Sequence, residues 1–203
     1  MIAPTRSSKL LSPPYRKASK SDADALCTLI NFAGEGLPVY LWSGMAGEGE
    51  SAWDIGRQRA CREEGGFSYR NAFVRDNNGQ AIAALIGYPL APVPEPWLAD
   101  EMPPMFVPLQ QLEDLAASTW YVNVLAVSPD QRGRGYGSEL LAIAERCARQ
   151  AGCPGLSIIV SDANTGARRL YERSGYVERA MRPMVKEGWK NDGCNWVLLV
   201  REL

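Results

Sequence analysis

Seven consecutive residues, Arg132-Gly133-Arg134-Gly135-Tyr136-Gly137-Ser138, carry the clearest chemical signal in the chain. Three glycines alternate with an arginine and a tyrosine, and a run of helix formers follows at once. A helix N-terminus leaves about four backbone N–H groups without intrahelical partners, and the helix dipole adds roughly half a positive charge there. Glycines let the main chain approach an anion closely and adopt positive φ, and Arg132 and Arg134 add cationic charge. Such a turn can cradle a diphosphate. A tight strand-to-helix connection with no ligand explains the glycine spacing equally well. Two other phosphate motifs fit poorly. A nucleotide P-loop needs a lysine, and none follows Gly137; the spacing is GxGxG where a dinucleotide fingerprint needs GxGxxG, and the next strand offers only Asp162 as an acid.

A turn of this kind needs a strand before it and a helix after it. "TWYVNVLAVSP" (119–129) is β-branched and aromatic and ends at Pro129, which predicts a strand. From about Gly137 to Ala151, Leu140, Leu141, Ala144, Cys147, Ala148 and Ala151 share one helical face, and Gly152 closes it. "LSIIVS" (156–161) reads as a fully buried strand. "NTGARRLYERSG" (164–175) reads as a short helix capped near Asn164 and stopped by Gly175. Strand, helix, strand, helix implies a right-handed crossover between parallel strands.

The flanks are less regular. "YRKAS" (15–19) reads as a short strand, and 20–36 as a helix with Ser21 or Asp22 as N-cap and Leu26, Leu29, Ile30 and Ala33 as its apolar stripe. Residues 50–66 read as a second helix, closed by Gly65 and Gly66, with Trp53, Ala60 and Cys61 on one face and Ile55 off it. Residues 67–90 read as two strands joined at "DNNGQ". Residues 91–118 form a proline-rich insertion. It has five prolines before Val107, the acids Glu95, Asp100, Glu101, Glu113 and Asp114, and no Lys or Arg. A link of that length is either a functional lid or a disordered excursion, and Trp97, Leu98, Met102, Met105 and Phe106 argue for packing. Two closing strands end the chain, with "KEGWKNDGCNW" (186–196) between them as a hairpin carrying Trp189 and Trp196. Residues 1–14 read as a flexible arm ahead of one domain over 15–203, and the basic residues Arg6, Lys9, Arg16, Lys17 and Lys20 as solvated charges.

Composition prunes the chemistry. The 203 residues include no histidine, which excludes an imidazole base, a His-based triad and His metal ligands. Cys27, Cys61, Cys147, Cys153 and Cys194 are odd in number and have no CxxC spacing, so buried reduced thiols are expected rather than disulfides or zinc. A net charge of −1 gives no general argument for nucleic acid or membrane partners. No stretch approaches a spanning length, and the start lacks an apolar signal core. A soluble cytoplasmic protein, monomer or homodimer, is the expectation, with no metal.

The two signatures together resemble the GCN5-related N-acetyltransferase (GNAT) superfamily. Its cofactor pattern, [QR]xxGx[GA], is met by Arg132 to Gly137, and its second pattern, N…A…LYE..G[FY], by Asn164, Ala167, Leu170, Tyr171, Glu172, Gly175 and Tyr176. The match covers 119–177. The resemblance implies an α/β fold: a central mixed twisted sheet of about seven strands flanked by about four helices. Two neighbouring parallel strands, here 119–127 and 156–161, would splay apart. It implies acetyl-CoA as cosubstrate, with the pantetheine arm pairing along Leu125, Ala126 and Val127 and the diphosphate on the amides of Arg132 to Ser138.

The implied activity is acetyl transfer by direct attack of a primary amine on the thioester. A backbone N–H near Leu125 would stabilise the oxyanion, and Tyr171 would protonate the leaving thiolate as general acid. Packing beside Leu170 is the plainer explanation of Tyr171. No general base is evident. Asn123 and Tyr121 are substrate-side candidates on one strand face, and an amide cannot take a proton from an ammonium; both residues also suit an ordinary polar sheet face. Asn164 combines helix capping with a cofactor contact. The acidic insertion either closes over a cationic acceptor or is a solvated loop. The acceptor is a small-molecule or peptide amine. A non-catalytic acyl-CoA-binding sensor is the alternative from another class.

Overall fold

The computed structural model describes residues 11–203. Of the arm expected over 1–14 only its last four residues fall within that range, and Arg6 and Lys9 lie outside it. Seven strands form one mixed sheet: β1 (Tyr15–Lys17), β2 (Ala72–Asn77), β3 (Gln80–Pro89), β4 (Trp120–Val127), β5 (Gly155–Ser161), β6 (Val177–Pro183) and β7 (Asn195–Glu202). Their spatial order is β1-β2-β3-β4-β5-β7-β6, and every neighbouring pair is antiparallel except β4–β5. Six α-helices accompany them: α1 (Ala23–Ala33), α2 (Leu37–Met45), α3 (Ala52–Ala60), α4 (Val107–Asp114), α5 (Tyr136–Ala151) and α6 (Thr165–Arg173). The architecture is the α/β arrangement expected, with seven strands.

The helix count exceeds the four expected, because two short helices hide behind proline. Both α2 and α4 carry proline in their first turn, where its missing N–H is not needed. Residues 20–36 are not one helix: a 3-10 turn over Lys20–Asp22 precedes α1, and Asp22 is the N-cap. The helix expected over 50–66 is shorter, because Ser51 and Asp54 cap it at the start and Cys61 ends it. Its buried face is only partly the one expected. Ile55 and Ala60 are buried, whereas Trp53 is 38% exposed and meets Trp42 edge-on.

Three apolar clusters fix the layers. On one face α5 buries Leu140, Leu141, Ile143 and Ala144 against Leu85, Val122 and Ile158. On the other, Leu26, Leu29 and Ile30 of α1 pack with Ile55 and Ala60 of α3 against Val74, Ile86 and Val124. The insertion completes a third cluster: Met105, Leu112 and Ala116 pack with Leu37, Trp189, Trp196 and Leu198. Its acidic helix α4 therefore roofs the β5–β7 half of the sheet. Burying a leucine such as Leu112 stabilises by about 1.5–3 kcal/mol. Val93 and Leu98, in contrast, are largely exposed.

Some cysteines and charges sit differently from expectation. Cys27 and Cys147 are buried, but Cys61 and Cys153 are half-buried and Cys194 is exposed. Arg16 is not merely solvated: its guanidinium grips Asp22 through two bonds of 2.8 and 2.9 Å and also reaches Asp76. Lys17 lies 3.9 Å over the Phe73 ring and Lys20 pairs with Glu63 at 2.6 Å. Among the described residues no helix is long and apolar enough to cross a membrane.

Candidate active site

The site begins with a break in the sheet. Strands β4 and β5 pair only at Trp120–Leu156, Tyr121–Ser157 and Val122–Ile158. On its other edge β4 pairs Val122 with Gly87 and Val124 with Ile86, so Asn123 is an extra, unpaired residue. A bulge of this kind bends its strand and stops the ladder. Beyond it Leu125, Ala126 and Val127 have no β5 partner, while β5 continues to pair β7 through Ser161. The two strands leave a wedge, and a cleft of about 640 Å³ occupies it.

Backbone donors close one end of the cleft. Gly133 and Gly135 have φ of +76° and +84°, and a Cβ on either would meet no protein atom within 4 Å. Their requirement is therefore conformational, and the space beside them is open. Gly137 has a different requirement: a Cβ there would come 2.9 Å from Leu170 Cδ2, so the residue lets α5 pass close to α6. Gly135 is the N-cap of α5. The amides of Gly133 to Ser138 have no acceptor among the described residues, as a helix start requires. Arg132 bonds back to Val127 O at 3.2 Å. Arg134 is outside the cleft wall, whereas Gln131, Arg132, Gly133, Gly135, Tyr136, Gly137 and Ser138 line it. The Arg75 guanidinium lies 3.9 Å over the Tyr136 ring and, with Arg134 adding, lowers the phenol below its ordinary pKa.

Tyr171 of α6 lines the same cleft, 4% exposed, its ring 5.9 Å from that of Tyr176. Its hydroxyl has no hydrogen bond to a described residue. Burial holds its pKa well above the ordinary phenol value, and the nearby Tyr176 and Glu35 add to the rise. The group is thus a protonated donor at any physiological pH. Asn164 caps α6 by accepting from Ala167 N at 3.1 Å, and it too lines the cleft.

The substrate-side candidates separate. Asn123 lines the cleft and donates through Nδ2 to Tyr88 Oη at 2.8 Å. Tyr121 does not line it; the side chain is 7% exposed and packs edge-on against Tyr88 at 5.8 Å. The segment expected as a hairpin, 186–196, is the long connection of the antiparallel β6–β7 hairpin, with Asn195 and Trp196 already in β7. Trp196 forms cleft wall, and Trp189 stacks on it at 5.8 Å and 8°.

Sequence reasoning misses Glu35 entirely. It sits in the turn between α1 and α2, at φ +52°, and lines the cleft with Phe32, Ala33 and Gly34. Its Oε2 accepts from Asn191 Nδ2 at 2.6 Å and its carbonyl from Trp189 Nε1 at 3.3 Å. The only sequence signal is "GEG", which reads as a helix stop. Among the described residues no group of three or more side chains is arranged to hold a metal ion.

The model of the Acetyltransferase (GNAT) family matches residues 45–176. The chain is 43% identical over 58 residues to an acetyltransferase of Agrobacterium fabrum, covering 29% of this chain and 41% of that one. It is 38% identical over 52 residues to an uncharacterized N-acetyltransferase of Yersinia pestis, covering 26% of this chain and 37% of the relative. The chain thus spans about two fifths of the length of these relatives. Across the whole fold it superposes on an N-acetyltransferase from Staphylococcus aureus Mu50 with a TM-score of 0.63, at 15% identity, covering 92% of this chain and 98% of that one. The parting strands, the glycine turn and Tyr171 all fall within a family match that takes in well over half of the residues, and the chain belongs to the Acetyltransferase (GNAT) family.

Proposed function

We propose that the protein is an acetyl-CoA-dependent N-acetyltransferase that moves an acetyl group to a primary amine by direct attack, with Tyr171 as general acid. The observation that carries the reading is the coincidence in one cleft of three things acetyl transfer needs. These are a strand edge without a partner at Leu125 to Val127, a row of free amides from Gly133 to Ser138, and a buried phenol at Tyr171. Acetyl-CoA would supply the activated acyl carbon and a thiol leaving group. The chain supplies the rest. The amides and Arg132 bind the diphosphate, the open edge of β4 takes the pantetheine as an added strand, and a main-chain N–H near Leu125 offers its hydrogen to the thioester oxygen. Tyr171 gives its proton to the departing sulfur.

The test is CoA release from acetyl-CoA across a panel of small and peptide amines, with longer acyl thioesters in parallel. Release with at least one amine supports the reading. Tight acetyl-CoA binding without release on any amine refutes it in favour of a non-catalytic acyl-CoA sensor.

A further inference from the structure

We propose that Glu35 receives the acceptor ammonium and takes its proton, and that the β6–β7 loop aims it through Asn191. The inference rests on the acetyl-transfer reading above and supplies the base that it lacks.

Glu35 is the one carboxylate among the described residues that line the cleft; Arg132 and Arg173 are the charged residues that share the wall. A cationic amine entering this cleft thus finds a single full negative charge. The backbone is held unfavourably to put it there. A non-glycine residue at φ +52° costs about 1–2 kcal/mol, and glycine would fit the same turn without that cost. Three other non-glycine residues share this conformation, Asn78, Ser118 and Glu187. None of them lines the cleft. Strain at a ligand-facing residue is where function and stability conflict.

The carboxylate is also aimed. Asn191 donates to Oε2, and Asn191 is itself fixed by Gly193 N at 2.7 Å on its Oδ1 and by Lys186 Nζ at 2.7 Å on its carbonyl. Trp189 holds the Glu35 carbonyl and stacks on Trp196 of the cleft wall. Oε1 has no hydrogen bond to a described residue and is left for a ligand. The titratable or charged groups that share its cleft are Tyr171 and Arg173 of α6 and Arg132; behind it stand Lys186, bonded to the Asn191 carbonyl, and Asp162, which like Asn191 lies against Gly193. Asp162 is engaged by Cys194 N and Asn195 Nδ2. Glu35 and Tyr171 thus stand in one cleft as acceptor and donor.

The protons balance. Glu35 takes one from R–NH3+ and passes it to solvent. The freed lone pair forms the N–C bond, the C–S bond breaks, and Tyr171 gives its proton to sulfur and recovers one from the new amide nitrogen. The products are the amide, CoA thiol and one proton.

Glu35→Gln keeps the acceptor for Asn191 but cannot take a proton. With an amine that the wild type acetylates, it should lower kcat/KM at pH 7 by roughly 10²-fold or more while acetyl-CoA affinity stays within about twofold. The deficit should narrow as pH approaches the pKa of the free amine, about 10, and Glu35→Asp should keep the wild-type pH profile at a lower rate. Glu35→Gly should melt no lower than wild type and still lose turnover, which separates chemistry from folding. Glu35→Gln within threefold of wild type, with an unchanged pH profile, reduces Glu35 to a loop staple and overturns the proposal while acetyl transfer stands. If the wild type binds acetyl-CoA and acetylates no amine, the transfer reading falls and the base role falls with it.

Discussion

Replacing Gly135 by alanine separates binding from folding. The residue sits at φ +84°, where a Cβ costs about 1–2 kcal/mol. A Gly→Ala change also returns about 0.4–1 kcal/mol by restricting the unfolded chain. The net loss should be near 1 kcal/mol, or about 2–4 °C in Tm for a chain of this size. Gly79 provides the matched control. It has φ +88°, closes the β2–β3 hairpin, and like Gly135 leaves its missing Cβ with no protein atom within 4 Å. Both variants should therefore melt a few degrees lower. Only Gly135 faces the cleft, so only there would the methyl group push a diphosphate off the amides. Losing one or two charge-assisted hydrogen bonds at about 1.5–3 kcal/mol each weakens acetyl-CoA binding by ~10-fold to ~10⁴-fold. Calorimetric titration beside thermal melting reads both quantities. Equal acetyl-CoA affinities for Gly135→Ala and Gly79→Ala would refute the assignment of the glycine turn as the anion cradle.

Three further outcomes follow from the same structure. Tyr171→Phe should bind acetyl-CoA as the wild type does but lose about 10²–10⁴-fold in kcat; because burial raises the pKa of this phenol, the wild type should keep the donor protonated through pH ~10, and steady-state kinetics across pH checks both. Asp22, 5% exposed, is held below the ordinary carboxylate range by Arg16, so its contribution is present above the unfolded pKa of about 3.9 and lost as pH falls through the lower folded value. Since Arg16 is 37% exposed, Asp22→Asn should cost about 2 kcal/mol at neutral pH, below the range for fully buried pairs, and should flatten the acid limb of a urea-denaturation series. Leu112→Ala should cost about 2–5 kcal/mol, measured by denaturant unfolding, because Leu112 is fully buried between α4 and the β5–β7 face; a loss under about 0.5 kcal/mol, the size of an ordinary surface substitution, would mean the insertion is an appendage.

What the sequence reveals divides along a physical line. The glycine turn, α5, β5 and α6 are legible because each is specified by contiguous residues: a φ requirement, an apolar period, a cap. Asn123 is legible as a residue but not as a bulge, since "VNV" alternates like any straight strand and the extra residue shows only in its pairing with β3. The same alternation puts Tyr121 and Asn123 on one face, and both do meet Tyr88; the bulge reverses the alternation only after Asn123, so that Val124 and Ala126 face α1 while Leu125 and Val127 face α5. Proline conceals α2 and α4, because the rule that it breaks helices is silent about the first turn. Ile55 is misplaced when the large Trp53 sets the stripe, whereas the packing of α3 on α1 and α2 favours the smaller side chains.

The Glu35 side of the cleft is illegible for a deeper reason. The donors at Gly133 to Ser138 lie within six residues of one another, so one local conformation encodes them. Glu35 is set by Asn191, which lies 156 positions away, and by a Trp189–Trp196 stack that the insertion helps bury. No short pattern can specify a contact of that span; it exists only once α1, the β6–β7 loop and α4 have met over the same half of the sheet. The two ends of the cleft are thus under different constraints. Substitution in the glycine turn is limited by main-chain geometry, while the wall around Glu35 can change through any of three distant segments without disturbing the glycine turn. If the proposed function holds, a chain built this way can keep one acyl donor and alter the amine it accepts, and the insertion, which both roofs β5–β7 and braces the tryptophans, is the segment through which that change reaches furthest.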